Sequence, residues 1–160
     1  MYVRSAELKD IPELVRLGKT LFDQHILYDG EYYTLEENFE EHFGRWLNQL
    51  ITDNFQFLYV AQTSEGEITG FISGFVKNLF SWFVIKKVGH ISFLIVKDIY
   101  RQKKIGTMLE NTASDWFRKQ GIKYIETYVD EKNSIAQQAW TSYGFLSFKK
   151  FIRKNLSTSI

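Results

Sequence analysis

The segment Val96-Lys-Asp-Ile-Tyr-Arg101-Gln-Lys-Lys-Ile-Gly106-Thr107 determines the architecture, because it joins the clearest strand pattern of the chain to its clearest helix pattern. Before it, Gly89–Val96 is a run of apolar and β-branched residues that predicts a strand. After it, apolar residues recur at helical spacing from Ile105 to Phe117, and Gly121 stands where the helix should end. A short basic turn therefore leads from a strand into a helix N-terminus.

The first ninety residues carry the patterns of one strand, two helices and a hairpin. Asp10 followed by Glu13, and Thr34 followed by Glu37, are capping pairs that begin amphipathic helices. The expected elements are a strand at Tyr2–Ala6, helices from Ile11 to Phe22 and from Phe39 to Leu50, and strands at Phe55–Ala61 and Ile68–Val76. The stretch 77–87 predicts either a longer hairpin or an exposed aromatic loop.

The last forty residues predict three more elements. Tyr124–Val129 is a strand pattern, Ser134–Ser142 a short helix, and Phe148–Leu156 a final strand. The complete order is strand, two helices, three strands, helix, strand, helix, strand, with no repeat or linker. We therefore expect a single domain over residues 1–160, of the α+β or mixed α/β class around a central sheet.

Composition restricts the class of protein. Apolar residues make up 44% and charged residues 24%, enough for a globular core, and a net charge of +1 argues against a dedicated nucleic-acid binder. The absence of cysteine excludes disulfides and a cysteine nucleophile, and three histidines without a metal-binding motif predict no metal site. The first ten residues lack the apolar core of a targeting signal, so we expect a cytoplasmic protein without a membrane partner.

The turn before the second-half helix has the chemistry of a phosphate site. A helix N-terminus presents unpaired backbone N–H groups and the positive end of the helix dipole. Gly106 would allow close approach of an anion, and Arg101, Lys103 and Lys104 add positive charge around the same turn. On local chemistry alone a solvated basic loop is the favoured interpretation, because short charged turns before helices are common.

Three motifs in register connect this turn to a known family. Arg101-Gln-Lys-Lys-Ile-Gly106 resembles the Arg/Gln-x-x-Gly-x-Gly/Ala signature of the GNAT superfamily, the acyl-CoA-dependent N-acyltransferases. Asn133-Ser-Ile-Ala136 and the closing Gly144-Phe145 resemble the family's later helix. The resemblance covers nearly the whole chain and implies a GNAT-like fold, with a mostly antiparallel, splayed sheet and about four helices. It also implies direct transfer of acetyl from acetyl-CoA to an amine, without a covalent enzyme intermediate.

By position, the resemblance implies an acetyl-CoA site along the strand end and the turn. The backbone of Leu94, Ile95 and Val96 would pair with the pantetheine arm, and an N–H of Ile95 or Val96 would stabilise the oxyanion. The other implied cofactor contacts are Arg101, Gln102, Lys103, Lys104, Ile105, Gly106, Thr107, Asn133, Ala136 and Trp140.

Two residues depart from the family pattern. Lys104 replaces the first glycine of the signature and adds a cation that could serve a phosphate. Trp140 stands where many members have the tyrosine that protonates the leaving thiolate, so Tyr143, Tyr128 or bulk water would supply that proton. The second departure leaves open an alternative, in which the fold is a non-catalytic CoA-binding sensor or interaction module.

A base is useful because a primary ammonium, with a pKa near ~10, must lose a proton before its nitrogen can attack. We favour His90, at a position where some family members have a catalytic glutamate. Two-residue alternation predicts that His90 shares a face with Ser92, Leu94 and Val96. A structural histidine is the equal alternative, and Glu126 is the second candidate base.

The acceptor side is predicted from the segment 23–41, which holds seven acids and no Lys or Arg. By resemblance it forms the acceptor wall, where negative charge and tyrosine rings would attract a cationic amine. The candidate substrate contacts are Asp23, Tyr28, Asp29, Glu31 and Tyr32. We expect a small amine of the polyamine or aminoglycoside type, or a protein amine; a solvated acidic face is the plain alternative.

Two further segments bear on partners. The apolar group Phe80, Trp82, Phe83 and Val84 would serve as a homodimer contact or as a lid over the acceptor, unless it packs into the core. The cations in 149–154 would suit nucleic acid, but the acidic segment opposes this, so we expect no nucleic-acid partner.

Overall fold

One five-stranded sheet organises the chain, in a computed structural model that describes residues 1–157. Its strands lie in the order β1-β2-β3-β4-β5, with β1 at Tyr2–Ser5, β2 at Gln56–Gln62, β3 at Ile68–Asn78, β4 at Lys87–Val96 and β5 at Ile125–Thr127. The helices are α1 at Ile11–Tyr28, α2 at Phe39–Thr52, α3 at Ile105–Lys119 and α4 at Ser134–Ser142. The predicted mixed α/β class with about four helices is confirmed. The predicted domain end, Ile160, lies outside the described residues.

The sheet is antiparallel except at its last strand. Neighbouring strands from β1 to β4 pair antiparallel, whereas β5 pairs parallel to β4. This parallel pairing covers only Gly89–Ile91 against Ile125–Thr127. Beyond Ile91, residues 92–96 of β4 have no strand on that side within the described part of the chain. The sheet therefore opens beside the end of β4, as the predicted splay requires.

Helices cover both faces of the sheet. Helices α1 and α2 enclose a core around Leu14, Leu47 and Phe71, and α3 packs on the opposite face against Ile72 and other residues. Phe71 and Ile72 are neighbours on β3 that point to opposite faces, as the period of two demands. Within residues 1–157, no helix is both long and apolar enough to cross a bilayer.

The connection between β3 and β4 combines the two predicted alternatives. The strands extend to Asn78 and from Lys87, and residues 79–86 form an exposed turn between them. At its tip the rings of Phe80 and Trp82 stack 4.6 Å apart, and both side chains are more than half exposed. The aromatic tip therefore lies outside the core.

The predicted final strand at Phe148–Leu156 is wrong. Residues 145–154 have no regular secondary structure, and the large apolar side chains of this segment are 84–87% exposed, namely Leu146, Phe148, Phe151, Ile152 and Leu156. A strand requires a neighbouring strand to accept and donate its backbone hydrogen bonds, and none lies beside this segment in the described chain. β5 retains only three residues of the predicted Tyr124–Val129, because its pairing with β4 ends at Ile91 and Thr127.

Candidate active site

The turn between β4 and α3 concentrates backbone N–H groups. Gln102 and Lys104 adopt the left-handed conformation, with φ of 59° and 62°. Lys104 is followed directly by the right-handed first residue of α3, Ile105, and no side chain within residues 1–157 caps this helix N-terminus. Left-handed and right-handed residues in sequence turn their N–H groups toward one point, which creates an anion-binding concavity. The predicted phosphate cradle therefore has suitable backbone geometry.

The three cations of the turn differ in their partners. Arg101 forms an ion pair with Asp98 at 2.9 Å, and the Lys103 ammonium lies 5.0 Å from the centre of the Tyr100 ring. Lys104 is exposed and has no ion pair within residues 1–157. Lys104 is therefore the cation of this turn most available to an incoming phosphate.

Gly106 has a packing role that the sequence did not reveal. A Cβ at Gly106 would lie 2.2 Å from the Tyr143 hydroxyl oxygen. The glycine therefore allows α4 to place this hydroxyl on the first turn of α3. Burial, and to a smaller extent the charge of Glu110, raises the pKa of Tyr143. Tyr143, which the sequence predicts as a proton donor, thus has a neutral hydroxyl that lies beside the cradle.

A β-bulge interrupts β4 where the sheet opens. Ser73 of β3 pairs with Phe93, but the next residue, Gly74, pairs with Ile91. Ser92 is therefore an extra residue on β4, and each side chain after it lies on the face opposite to that expected from simple alternation.

The bulge shows that the predicted common face of His90, Leu94 and Val96 is wrong. Leu94 and Val96 pack into the core under α3. His90 pairs with Phe75, which shares a face of β3 with Phe71 in the core under α1 and α2. His90 therefore faces the α1/α2 side, while Leu94 and Val96 face the α3 side. Ile95, between them, also packs on the α1/α2 side.

His90 is a nearly buried, neutral imidazole. It is 9% exposed, with its ring 5.1 Å from that of Phe75 and 5.0 Å from that of Tyr128. Burial first, and the charge of Lys77 second, lower the pKa of His90, while Glu126 acts in the opposite direction. An imidazole that stays neutral at neutral pH keeps a lone pair available to accept a proton.

An ion pair and a hydroxyl border His90. Lys77 of β3 binds Glu126 of β5 at 2.9 Å, and Glu126 is the register partner of His90. The alternative base Glu126 is therefore already engaged, whereas Tyr128 is 68% exposed beside the imidazole. Sequence reasoning did not predict that Lys77 lies beside His90. The only indication was that Lys77 is two residues from Phe75 on β3 and therefore shares its face.

The Asn133 motif begins α4. The Asn133 side-chain oxygen accepts a hydrogen bond from the Ala136 N–H at 3.0 Å, which satisfies one donor of the helix N-terminus. Trp140 packs edge-on against Phe145, with ring centres 4.9 Å apart, and belongs to the core under α3. These three predicted cofactor residues thus shape α4, and Asn133 and Ala136 remain half-buried at its start.

The acidic connector between α1 and α2 is partly neutralised. Arg153 binds Asp29 at 2.6 Å and lies 4.7 Å over the Tyr32 ring. The Tyr32 N–H and then Arg153 lower the pKa of Asp29. Lys132 donates to the Tyr28 carbonyl oxygen at 2.7 Å. The structure therefore brings Tyr28, Asp29 and Tyr32 together with cations of this same chain.

Four of the other acids line a separate, open cleft. A cavity of about 370 Å³ lies between α1 and the connector, and its charged lining residues are Lys19, Asp23, Glu36, Glu37 and Glu40. Asp23 forms an ion pair with Lys19 at 2.8 Å. Glu31 is exposed and does not line this cleft. The structure thus divides the predicted acceptor residues between two places.

Comparison with protein families identifies one match. Residues 21–145 match the model of the acetyltransferase (GNAT) family. A search of curated protein sequences finds no relative of significant similarity.

Solved structures of distant sequence share the fold. The tetramutant of the BH1408 protein from Bacillus halodurans superposes with a TM-score of 0.83 at 18% identity, covering 98% of this chain and 100% of that one. The aminoglycoside antibiotic 6'-N-acetyltransferase AAC(6')-IG from Acinetobacter haemolyticus gives 0.77 at 14% identity, covering 99% and 100%. A predicted acetyltransferase with acetyl-CoA from Clostridium acetobutylicum gives 0.73 at 18%, covering 96% and 95%. At these identities the similarity establishes the fold.

Proposed function

Since the chain belongs to the acetyltransferase (GNAT) family, we propose that it transfers acetyl from acetyl-CoA directly to a primary amine in a ternary complex. The observation that carries the proposal is the juxtaposition of an open strand edge with an uncapped helix N-terminus, joined by a turn with two left-handed residues. The open strand edge suits the extended pantetheine arm, which ends in the thioester, and the helix N-terminus suits the pyrophosphate.

The cofactor would lie along the end of β4 and over the turn. Residues 94–96 offer backbone groups to the pantetheine arm, and the N–H groups of residues 102–107 meet the pyrophosphate. Lys104 contributes charge without first losing an ion pair, whereas Arg101 would exchange Asp98 for phosphate. Asn133, Ala136 and Trp140 line the other side through α4.

The transfer needs one proton acceptor and one proton donor. In the proposed step the amine nitrogen attacks the thioester carbonyl, its proton passes to His90, and the tetrahedral intermediate expels the CoA thiolate. The N–H of Ile95 or Val96 stabilises the oxyanion. Of the two tyrosines that could protonate the thiolate, Tyr143 follows α4 and places its hydroxyl against Gly106 on the first turn of α3, and Tyr128 lies beside His90. We favour Tyr128 as the donor, because the amine and the thiolate share one tetrahedral intermediate and the donor must therefore lie near the base His90.

The acceptor would be a small cationic amine or a protein amine. The cleft that contains Asp23 has four acids and one lysine, which favours a positively charged ligand. An aminoglycoside acetyltransferase is among the structures of similar fold. The part of the connector at Asp29 is a weaker candidate, because Arg153 already occupies its carboxylate and the Tyr32 ring.

Calorimetric titration with acetyl-CoA, followed by a panel of polyamines, aminoglycosides and lysine peptides, tests the function. We expect micromolar binding and then heat of turnover with one amine class. Lys104→Glu should weaken acetyl-CoA binding by at least tenfold, whereas the matched reversal Lys119→Glu at the other end of α3 should not. Binding without turnover on any amine would favour the non-catalytic CoA-binding module, and absence of binding would refute the cradle.

We also propose that the protein is cytoplasmic, that each chain folds as a single domain, and that two chains form a homodimer. Within residues 1–157 the exposed apolar residues of 146–156 have no neighbouring strand, and the outer edge of β5 is free. Three cations of that segment form no ion pair in this part of the chain, Lys149, Lys150 and Lys154, and two acids, Asp130 and Glu131, follow β5. A second copy supplies both complementary surfaces at once, as a closed two-fold dimer requires.

A further inference from the structure

Two buried polar atoms in the sheet have no hydrogen-bond partner. Among residues 1–157, they are the Ser73 hydroxyl oxygen and the His90 Nδ1. Ser73 is fully buried and His90 is 9% exposed. Leaving a buried polar group unpaired costs roughly 1–3 kcal/mol, so two such atoms in one region indicate a binding partner.

The two atoms belong to neighbouring side chains on one face. Ser73 pairs with Leu58, which lies in the core under α1 and α2. Ser73 and Phe75 are two residues apart on β3, and His90 is opposite Phe75. His90 is therefore a diagonal neighbour of Ser73, at about 7 Å between Cβ atoms. One water molecule can span the remaining gap between the two side-chain tips.

The bulge at Ser92 explains why such a gap exists. The extra residue bends β4 between the positions that pair with Ser73 and with Phe75. The side chain of Phe93, on the other side of the bulge, turns toward Trp46, with ring centres 5.5 Å apart. The kink at Ser92 thus separates the side chains of Ser73 and His90, which would otherwise pack together.

We propose that one ordered water joins Ser73 to His90 and fixes the tautomer of the imidazole. Water and a serine hydroxyl can each donate or accept, so the direction of the bonds follows from the proposed role of His90 as base: for Nε2 to accept a proton, the Nδ1–H must donate to the water and the water to the Ser73 oxygen. The other ring nitrogen, Nε2, then carries the lone pair. Within residues 1–157 Nε2 has no hydrogen bond and, unlike Nδ1, is not a fully buried unpaired atom, so the small exposed part of the His90 ring includes Nε2. Ser73 is therefore a positioning residue, and it makes Nε2 the atom that accepts the proton of the amine.

The inference rests on the proposed function for its chemical consequence, but its first test does not require turnover. In ¹⁵N-labelled protein at pH 8, the ring signals of His90, assigned with His90→Gln, should show a protonated Nδ1 and an unprotonated Nε2. Ser73→Ala should remove this preference. Thr69→Val is the matched control: it deletes another buried hydroxyl of β3, one that bonds to the Ala61 carbonyl, and should leave the His90 signals unchanged.

Kinetics separate the water bridge from the proposed function. Ser73→Ala should lower kcat for the amine by roughly three- to tenfold with unchanged acetyl-CoA affinity, as expected for a base in a mixture of tautomers. A tautomer that shifts in Ser73→Ala while His90→Gln keeps full turnover would support the bridge and refute His90 as the base. A His90 tautomer identical in the wild type and in Ser73→Ala would overturn the inference.

Discussion

At the scale of single residues, Lys104 has two opposing roles. Its φ of 62° is a conformation that costs a non-glycine residue of the order of 1 kcal/mol, and the GNAT signature has glycine at this position. The side chain offers a charge in return, next to the proposed pyrophosphate. Stability and cofactor affinity should therefore respond in opposite directions when Lys104 is replaced.

Lys104→Gly should raise the free energy of unfolding by up to about 1 kcal/mol and weaken acetyl-CoA binding, with the weakening greatest at low salt. Lys103→Gly is the control, because Lys103 is exposed without a positive φ. It removes the same charge but relieves no left-handed strain, so its stability should stay the same or fall. Thermal melts and calorimetry measure both quantities. Equal changes in the free energy of unfolding in the two variants would contradict the backbone strain that we assign to Lys104.

His90 should link stability to pH. Its pKa lies below the usual value of ~6.5, so the unfolded chain takes up a proton before the folded chain does. Stability should therefore fall as pH drops from ~6.5 toward the folded-state pKa, and level off below it. His90→Gln should lose this part of the pH dependence. Melting temperatures of the two proteins at pH 8 and pH 5.5 measure it, and a constant difference between them would count against the lowered pKa.

At the scale of elements, the Gly106–Tyr143 contact couples α3 to α4. Gly106→Ala should lower the free energy of unfolding by about 1–2 kcal/mol, because the new Cβ meets the Tyr143 hydroxyl. In a Tyr143→Phe background the ring carbon Cζ is 3.3 Å from the new Cβ, and most of this loss should disappear. A double-mutant cycle by chemical denaturation measures the coupling.

Acetyl-CoA affinity in the same four proteins shows what else the glycine does. If Gly106→Ala with Tyr143→Phe regains both stability and affinity, the glycine serves helix packing alone. If stability returns while affinity stays low, the glycine also allows close approach of the anion. A cycle without any coupling in stability would refute the contact.

Elements with a local pattern were predictable, and those that depend on pairing were not. The helix from Ile105 and the strand before it follow from periodicity, and both lie where the sequence predicts them. The bulge at Ser92 depends on how β3 and β4 register, so alternation placed His90 on the wrong face. Lys77 and Ser73 reach the site through the same register. The cradle was predictable because its residues are contiguous, whereas the surroundings of His90 come from three strands.

At the scale of the whole molecule, the C-terminal segment connects assembly to the acceptor side. The Phe151 ring centre lies 5.8 Å from that of Tyr128 and Arg153 binds Asp29, so the segment contacts the surroundings of His90 and one of the two candidate acceptor regions. Burying its five large apolar side chains would remove on the order of 700 Å² per chain from water, close to the ~800 Å² per partner of a stable interface. Dimer formation and acceptor binding should therefore change together.

The double variant Phe148→Asp with Ile152→Asp should convert a dimer to a monomer, because it places two charges in the proposed interface. Sedimentation velocity over a hundredfold concentration range measures this. Val84→Asp is the control, since it places one aspartate on the other exposed apolar surface, at the β3–β4 tip. We expect Val84→Asp to stay dimeric.

The monomeric variant should keep its acetyl-CoA affinity, because the cradle is built from one chain, and should show a raised KM for the amine. A dimer broken by Val84→Asp alone would transfer the interface to the aromatic tip, and a monomeric wild type would refute the assembly.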